Sequence, residues 1–468
     1  MISGNMLQAQ VPNTMFFMPG VPQSHRINPA IQSGCGFYLG FPGLAPLRLD
    51  VQPGFAYSDI ILPHPNYQDS LMTFLHPLAD KQAFLDHLPD VTTTHIGAGV
   101  SLASLGFRVR KSFISFDYRL RTDGSIFFPK GMFDFLINGA PDGSTVSLSG
   151  LGIDVNVFTE AALGWSRRDF ILPGLDIGVR GKALFGLGNI STTQSTLDLT
   201  TSMDVWNLDA DVQFNAAAPE FVTFLEEFED GPPVEVDSAY FDQNPIDIVR
   251  NTGFSMDQFG MAFDAGINYR PFRSLLISAS VLDVGGINWK NTSEGSFNWQ
   301  YDFEGVEVNP FSGIDTSIIS QLKDTLATAI SFAPGDPYFS KLNTKLFVGA
   351  SFYPIDRIGF GLLSRTDFLS NDIIQQFTGT VNMTTGKVIN LSLSYSYMLG
   401  GYDKIGAGLS LNLAGLNMYL ISDNIVSGAL RPLNAQEVSL WFGMNIAVGW
   451  KRYKMDKKAK PIDRPLLY

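Results

Sequence analysis

Gly406-Ala407-Gly408-Leu409-Ser410-Leu411-Asn412-Leu413 sets Ala407, Leu409, Leu411 and Leu413 against Gly406, Gly408, Ser410 and Asn412. Successive side chains of a strand point to opposite faces, so this segment offers one face to an apolar phase and the other to a polar one. The same two-residue beat recurs outward from it along most of the chain. In Arg108–Thr122, Ile114, Phe116, Tyr118 and Leu120 oppose Ser115, Asp117, Arg119 and Arg121. Ile153–Arg167 and Leu175–Leu187 repeat the split. The longest apolar runs, such as Leu275–Val284, fall far short of the ~20 residues a membrane helix needs. Many long alternating strands without such a helix are the cumulative signature of a transmembrane β-barrel.

Composition agrees. Only 16% of the 468 residues are charged and 12% are aromatic, with 37 Phe, 15 Tyr and 45 Gly. That suits a wall that meets lipid, with aromatics ringing the interfaces. Tyr57, Tyr118, Trp165, Tyr269, Tyr353, Phe368, Tyr395, Tyr397 and Trp450 stand near predicted strand ends and are expected in such girdles. A net charge of −13 without a basic stripe argues against nucleic acid. The single cysteine, Cys35, has no disulfide partner and no metal-ligand spacing. All five histidines precede residue 96, and neither GxSxG nor a P-loop is present. The expectation is a non-enzyme with no cofactor and no metal.

Four regions are expected. Residues 1–9 resemble the tail of an export signal. Residues 10–46, rich in Pro and Gly, form a hatch-like segment with a first strand near Gly34–Phe41. Residues 47–452 form the barrel, with about 14 to 16 spanning strands. Residues 453–468 form a basic tail. A hairpin is expected from His95–Leu105 and Arg108–Thr122, and further strands at Arg48–Ser58, Thr196–Phe214, Met261–Tyr269, Leu275–Ile287 and Ser296–Gly305. The densest run of strands lies between Lys345 and Lys451. Helical signals appear in Tyr67–Leu88, Pro129–Asn138, Pro219–Asp230 and Asp315–Phe332.

By the alternation, the polar face carries Asp117, Arg119, Arg121, Asp154, Glu160, Arg180, Lys182, Asp264, Arg357, Arg365, Asp367, Lys404 and Glu437. An ion-selective pore shows rings of one sign. Interspersed signs point instead to pairs that brace the wall or hold a plug.

Asn28-Pro29-Ala30, after a Gly/Pro-rich start and before the first strand, resembles the Asn-Pro-Ala motif in the hatch of FadL-type outer-membrane transporters of hydrophobic compounds. Phe116–Arg119, Gly178–Lys182, Gly406–Leu413, Tyr419–Asn424 and Phe442–Asn445 resemble an uncharacterised group of related Gram-negative barrels. The resemblance implies an all-β antiparallel barrel of about 14 strands in the outer membrane. It implies a plug that includes Asn28, Pro29 and Ala30, and passive binding or passage of a fatty-acid-like molecule. The pocket residues of the transporters match no positions here. Membrane lipids, a hydrophobic small molecule and an outer-membrane protein are the expected partners. The rival expectation is a structural subunit of a secretion or assembly complex, since fold alone does not fix function.

Overall fold

The computed structural model describes residues 12–40, 47–52, 61–67, 70–203, 205–218, 254, 256 and 258–303, with short paired segments at 222–224, 234–236, 308–309 and 313–314. It continues over 330–355, 357–368, 373–385, 388–398, 403–413, 415–425 and 438–449. The main strands, in chain order, are β1 (Phe37–Gly40), β2 (Leu47–Gln52), β3 (Val91–Val109), β4 (Ser112–Pro129), β5 (Gly152–Arg167), β6 (Leu175–Thr201) and β7 (Trp206–Ala217). Then come β8 (Phe259–Phe272), β9 (Leu275–Trp289), β10 (Thr292–Phe303), β11 (Ile330–Pro334), β12 (Tyr338–Lys341) and β13 (Thr344–Ile355). The last six are β14 (Ile358–Phe368), β15 (Ile373–Thr385), β16 (Ile389–Met398), β17 (Asp403–Leu413), β18 (Leu416–Ser422) and β19 (Val438–Val448).

Each wall strand pairs antiparallel with the next, and β19 returns to the first, placing Val448 opposite Phe37 and Phe442 opposite Leu47. β1 and β2 occupy one position between β19 and β3. The ring β1/β2-β3-β4-β5-β6-β8-β9-β13-β14-β15-β16-β17-β18-β19 therefore closes on 14 strands, which leaves the sheet no free edge. Turns at one end are short, such as Arg110–Lys111 and Arg273–Ser274; the other end carries the long connections.

The two faces sort as the alternation requires. Along β17, Lys404, Gly406, Gly408 and Ser410 face inward, while Ile405, Leu409 and Leu413 stand exposed outside. Leu163, Val179, Met261, Phe263, Leu362 and Leu393 continue the apolar exterior. No helix among the described residues is long and apolar enough to cross a membrane. The exterior and the closure define a transmembrane barrel.

Several expectations change. Thr196–Phe214 is not one strand: β6 runs on to Thr201, the chain turns, and β7 begins at Trp206. The far half of β6, β7, β10 and β11 form a sheet that rises beyond the ring, so β10, which covers Ser296–Phe303, is no spanning strand. A strand above the membrane has the same period as one within it, so sequence cannot separate them. The helix expected over Tyr67–Leu88 shrinks to α1 (Lys81–His87), capped where the Asp80 carboxylate accepts the Ala83 N–H at 3.0 Å. α2 (Lys130–Asn138) fills the Pro129–Asn138 segment and stops at Gly139, with φ +68°. Within Pro219–Asp230, Val222–Phe224 is a strand paired with Val234–Val236. Of Asp315–Phe332, only the start of β11 is described, and it is extended; the rest lies outside the described residues. So do residues 1–9, all of 453–468, Tyr57, Glu437 and Trp450.

Candidate functional site: a filled lumen beneath a polar cavity

The chain before β1 lies inside the barrel. Residues 13–33 are buried throughout, including Asn13, Thr14, Gln23, Ser24, His25 and Arg26. Two 3₁₀ turns, Asn13–Met15 and Pro22–Arg26, shape the segment. Its apolar side chains Met15, Phe16, Phe17, Met18, Val21 and Ile27 pack with Leu276, Leu282, Phe347, Leu363, Tyr419, Ile421 and Trp441 of the wall. Each such burial favours the seated segment by about 1.5–3 kcal/mol relative to exposure.

Polar contacts reach both sides of the wall. Asp423 accepts the backbone N–H groups of Asn13 and Thr14 at 2.7 and 3.0 Å and the Thr14 hydroxyl at 2.5 Å. A carboxylate at a turn's N-terminus satisfies donors that have no partner within the turn. Thr14 Oγ1 also lies 2.6 Å from Ser394 Oγ. Ser410 and Asn417 donate to the Gly20 carbonyl, and Gln23 Nε2 donates to Asn445 Oδ1. On the opposite wall Asn28 Nδ2 donates to Asn268 Oδ1 at 3.0 Å, while Asn28 Oδ1 accepts the Ala30 N–H at 2.9 Å. That second bond folds Asn28-Pro29-Ala30 into an Asx turn. The turn rests on Gly178 and Gly266, which face each other across β6 and β8. A Cβ would fall 2.1 Å from the Pro29 carbonyl at Gly178, and 2.1 Å from Asn28 Oδ1 at Gly266. Likewise a Cβ at Gly406 would meet Thr14, and one at Gly408 would meet Met18. The inner-face glycines are where the buried segment presses on the wall.

Above this segment the lumen holds a charge network. His25 and Arg180 share one oxygen of Asp117, at 3.0 and 2.8 Å, and Arg26 binds the other. Arg180 reaches Asp264 at 3.1 Å, and Lys182 bridges Asp264 and Asp283 at 2.5 and 2.6 Å. Arg121 binds Asp123, Glu160 and Asp283; Arg119 shares Glu160, Lys345 shares Asp283, and Arg48 shares Asp123. Asp283 sits at a bulge of β9 with φ +60°, its own N–H donating to Asp264 at 2.8 Å. The extra residue turns both Leu282 and Asp283 into the lumen. Burial pushes the His25 imidazole below its ordinary value, with Asp117 pulling the other way. Burial also raises the Cys35 thiol to about 11, which leaves it unreactive.

The residues singled out from sequence fall into three groups. Asp117, Arg119, Arg121, Glu160, Arg180 and Lys182 belong to this one network, together with Asp264. Arg365 and Asp367 pair with each other at 2.8 Å on β14, and Arg365 also donates to Asn13 Oδ1 at 3.3 Å. Asp154 stands apart, higher in the lumen and half-buried. Lys404 is buried, but Arg357 is exposed in the turn before β14. Tyr118, expected in a girdle, is instead covered, its ring stacked on Phe254 at 4.6 Å. Trp165, Tyr269, Phe368, Tyr395 and Tyr397 are exposed on the outside. Sequence reasoning missed His25, Arg26, Arg48, Asp123, Asp283, Lys345 and Asp423 as site residues.

Between the network and the long-loop end lies a cavity of about 490 Å³. Its wall is a ladder of inward side chains. Asp123 opposes Asn156, and Asn156 opposes Asn189; one step higher His95, Ser125, Asp154 and Ser191 face one another across β3 to β6. Val91, Phe127, Leu151 and Leu342 supply apolar surface, and Lys341 and Asn343 cross from the far side.

A closed membrane barrel whose lumen is occupied by its own N-terminal segment, with a solute-sized cavity above, is a plugged barrel. The chain belongs to a family of unknown function, DUF5723, whose model matches residues 29–423. A search of curated proteins finds no match. Among solved structures, the chain is similar to the toluene transporter TbuX of Ralstonia pickettii, at 8% identity over 94% of each chain and a TM-score of 0.42. It is also similar to the toluene transporter TodX of Pseudomonas putida, at 9% identity over 92% of this chain and 94% of that one, with a TM-score of 0.38. TbuX and TodX are FadL-family barrels. A mutant porin of Rhodopseudomonas blastica matches at 9% identity over 88% of this chain and 99% of that one, with a TM-score of 0.24. The likeness is one of barrels and carries no residue correspondence.

Proposed function

We propose that the protein is a gated barrel of the Gram-negative outer membrane that binds a hydrophobic small molecule at its mouth and passes it, without enzymatic chemistry, when the N-terminal segment shifts. One observation carries this reading: the segment that fills the lumen is tied down by hydrogen bonds and ion pairs, directly beneath a cavity large enough for a small solute. Cavities of roughly 300–1,000 Å³ are the usual size for small-molecule sites. With residues 13–33 buried inside the barrel, movement of the segment becomes a condition of passage. In this reading Asn28, Pro29 and Ala30 are the hatch's seat, and the lumen charges hold it in register.

The same filled lumen favours a second reading, a structural barrel in an outer-membrane complex that passes nothing. A lock separates the two. Thr14→Cys with Ser394→Cys joins segment to wall where the hydroxyls lie 2.6 Å apart. Under oxidation, cells carrying the lock should lose uptake of a labelled hydrophobic compound and recover it on reduction. Equal uptake in both states contradicts the gate; no uptake even in the unlocked protein supports the structural role.

A further inference from the structure

The cavity above the network is poorly suited to a pure hydrocarbon. His95 is more than nine-tenths buried and lines it, yet His95 Nε2 makes no hydrogen bond. The Thr93 and Ser195 hydroxyls on the same lining are also unsatisfied. A buried polar group without a partner costs about 1–3 kcal/mol. Asp154 adds a carboxylate that makes no ion pair among the described residues, whereas Asp123 below it is held by Arg121 and Arg48. His95 Nδ1 lies 2.7 Å from Ser125 Oγ. Asp154 sits directly across from Ser125 on the other side. A group seated over Ser125 thus has an anionic acceptor on one flank and the His95 imidazole on the other.

We propose that this cavity is a binding site for a small amphipathic amine, its ammonium over Ser125 against Asp154 and its apolar body against Phe127 and Leu151. This deepens the solute-binding reading and rests on it for function, though not for the existence of the site. Three probes of similar size decide the head group: 2-phenylethylamine, 2-phenylethanol and 3-phenylpropionate, titrated calorimetrically into the barrel in lipid nanodiscs, with empty nanodiscs subtracted. The amine should bind saturably and most tightly, and the carboxylate most weakly. Asp154→Asn should weaken the amine at least about tenfold and leave the alcohol unchanged. Leu151→Trp, a substitution at the rim that fills the cavity, should abolish amine binding. The proposal is overturned if the amine binds no more tightly than the alcohol, if Asp154→Asn leaves it unchanged, or if none of the three saturates. Lock-sensitive uptake with no preference for the amine would sink this proposal while sparing the gate; amine binding with lock-insensitive uptake would do the reverse.

Discussion

At the scale of single residues, the seat of the lumen segment is set by what is missing as much as by what is present. Gly178 has no side chain because the Pro29 carbonyl occupies that space. Gly178→Val should therefore unseat the segment while sparing the wall. Limited proteolysis should then cleave within residues 13–33, and the barrel should still migrate in its heat-modifiable folded form. Protection equal to the parent's would mean that the turn does not rest there. Asp117 is the opposite case, a fully buried carboxylate shared by Arg26 and Arg180. Asp117→Asn keeps the shape but strands two buried cations, and breaking such a pair costs about 3–5 kcal/mol. The midpoint of heat-induced unfolding on gels should fall clearly, whereas Lys111→Ala, at the exposed Lys111–Asp169 pair, should leave it nearly unchanged. The charges themselves were legible from alternation; their partners were not. Arg121 and Asp283 are 162 residues apart, and Asp283 enters the lumen only through a bulge that breaks the period. The inner-face glycines were visible in Gly406-Ala407-Gly408, but nothing local says that Thr14 and Met18 will press on them.

At the scale of strands, the period of two does most of the specification. It located β3 to β6, β8, β9 and β13 to β19 to within a few residues, apart from the far half of β6 and the end of β4 beyond Thr122, because lipid outside and a polar lumen inside impose the same alternation on every spanning segment. Where a segment leaves the membrane that constraint is shared with any half-buried sheet, so the rise of β6 and β7 beyond the ring could not be separated from the wall. From composition the lumen segment was legible only as an irregular Pro- and Gly-rich start, and as a plug only through the resemblance at Asn28-Pro29-Ala30; its fit depends on contacts with strands hundreds of residues later. The strand account makes a directional forecast. Leu362 on β14 is 74% exposed and points outward, while its neighbour Leu363 is 2% exposed and points in. Leu362→Arg should cost about 2–4 kcal/mol if that position lies near the bilayer midplane. The check is the folded fraction on insertion into lipid vesicles across a urea series. A Leu362→Arg barrel that folds as well in lipid as its parent would place this face in water.

At the scale of the whole molecule, 14 strands close a wall, one segment fills it, and a mixed-sign network fastens the filling. Seven cationic and five anionic side chains in that network leave no ring of one sign, which is the arrangement of a brace and not of an ion filter. Closure and charge mixture were both legible from sequence; that residues 13–33 fill the lumen, and that a cavity of about 490 Å³ remains near the mouth, emerges from three-dimensional packing. The central claim is that the lumen is shut by its own N-terminal segment. Single-channel recording in planar bilayers tests it most directly. The account predicts no steady conductance from the intact protein and stable ohmic steps from the Gly178→Val barrel; a steady open conductance in the intact protein, or a Gly178→Val barrel equally silent after its segment has been cleaved, would contradict it.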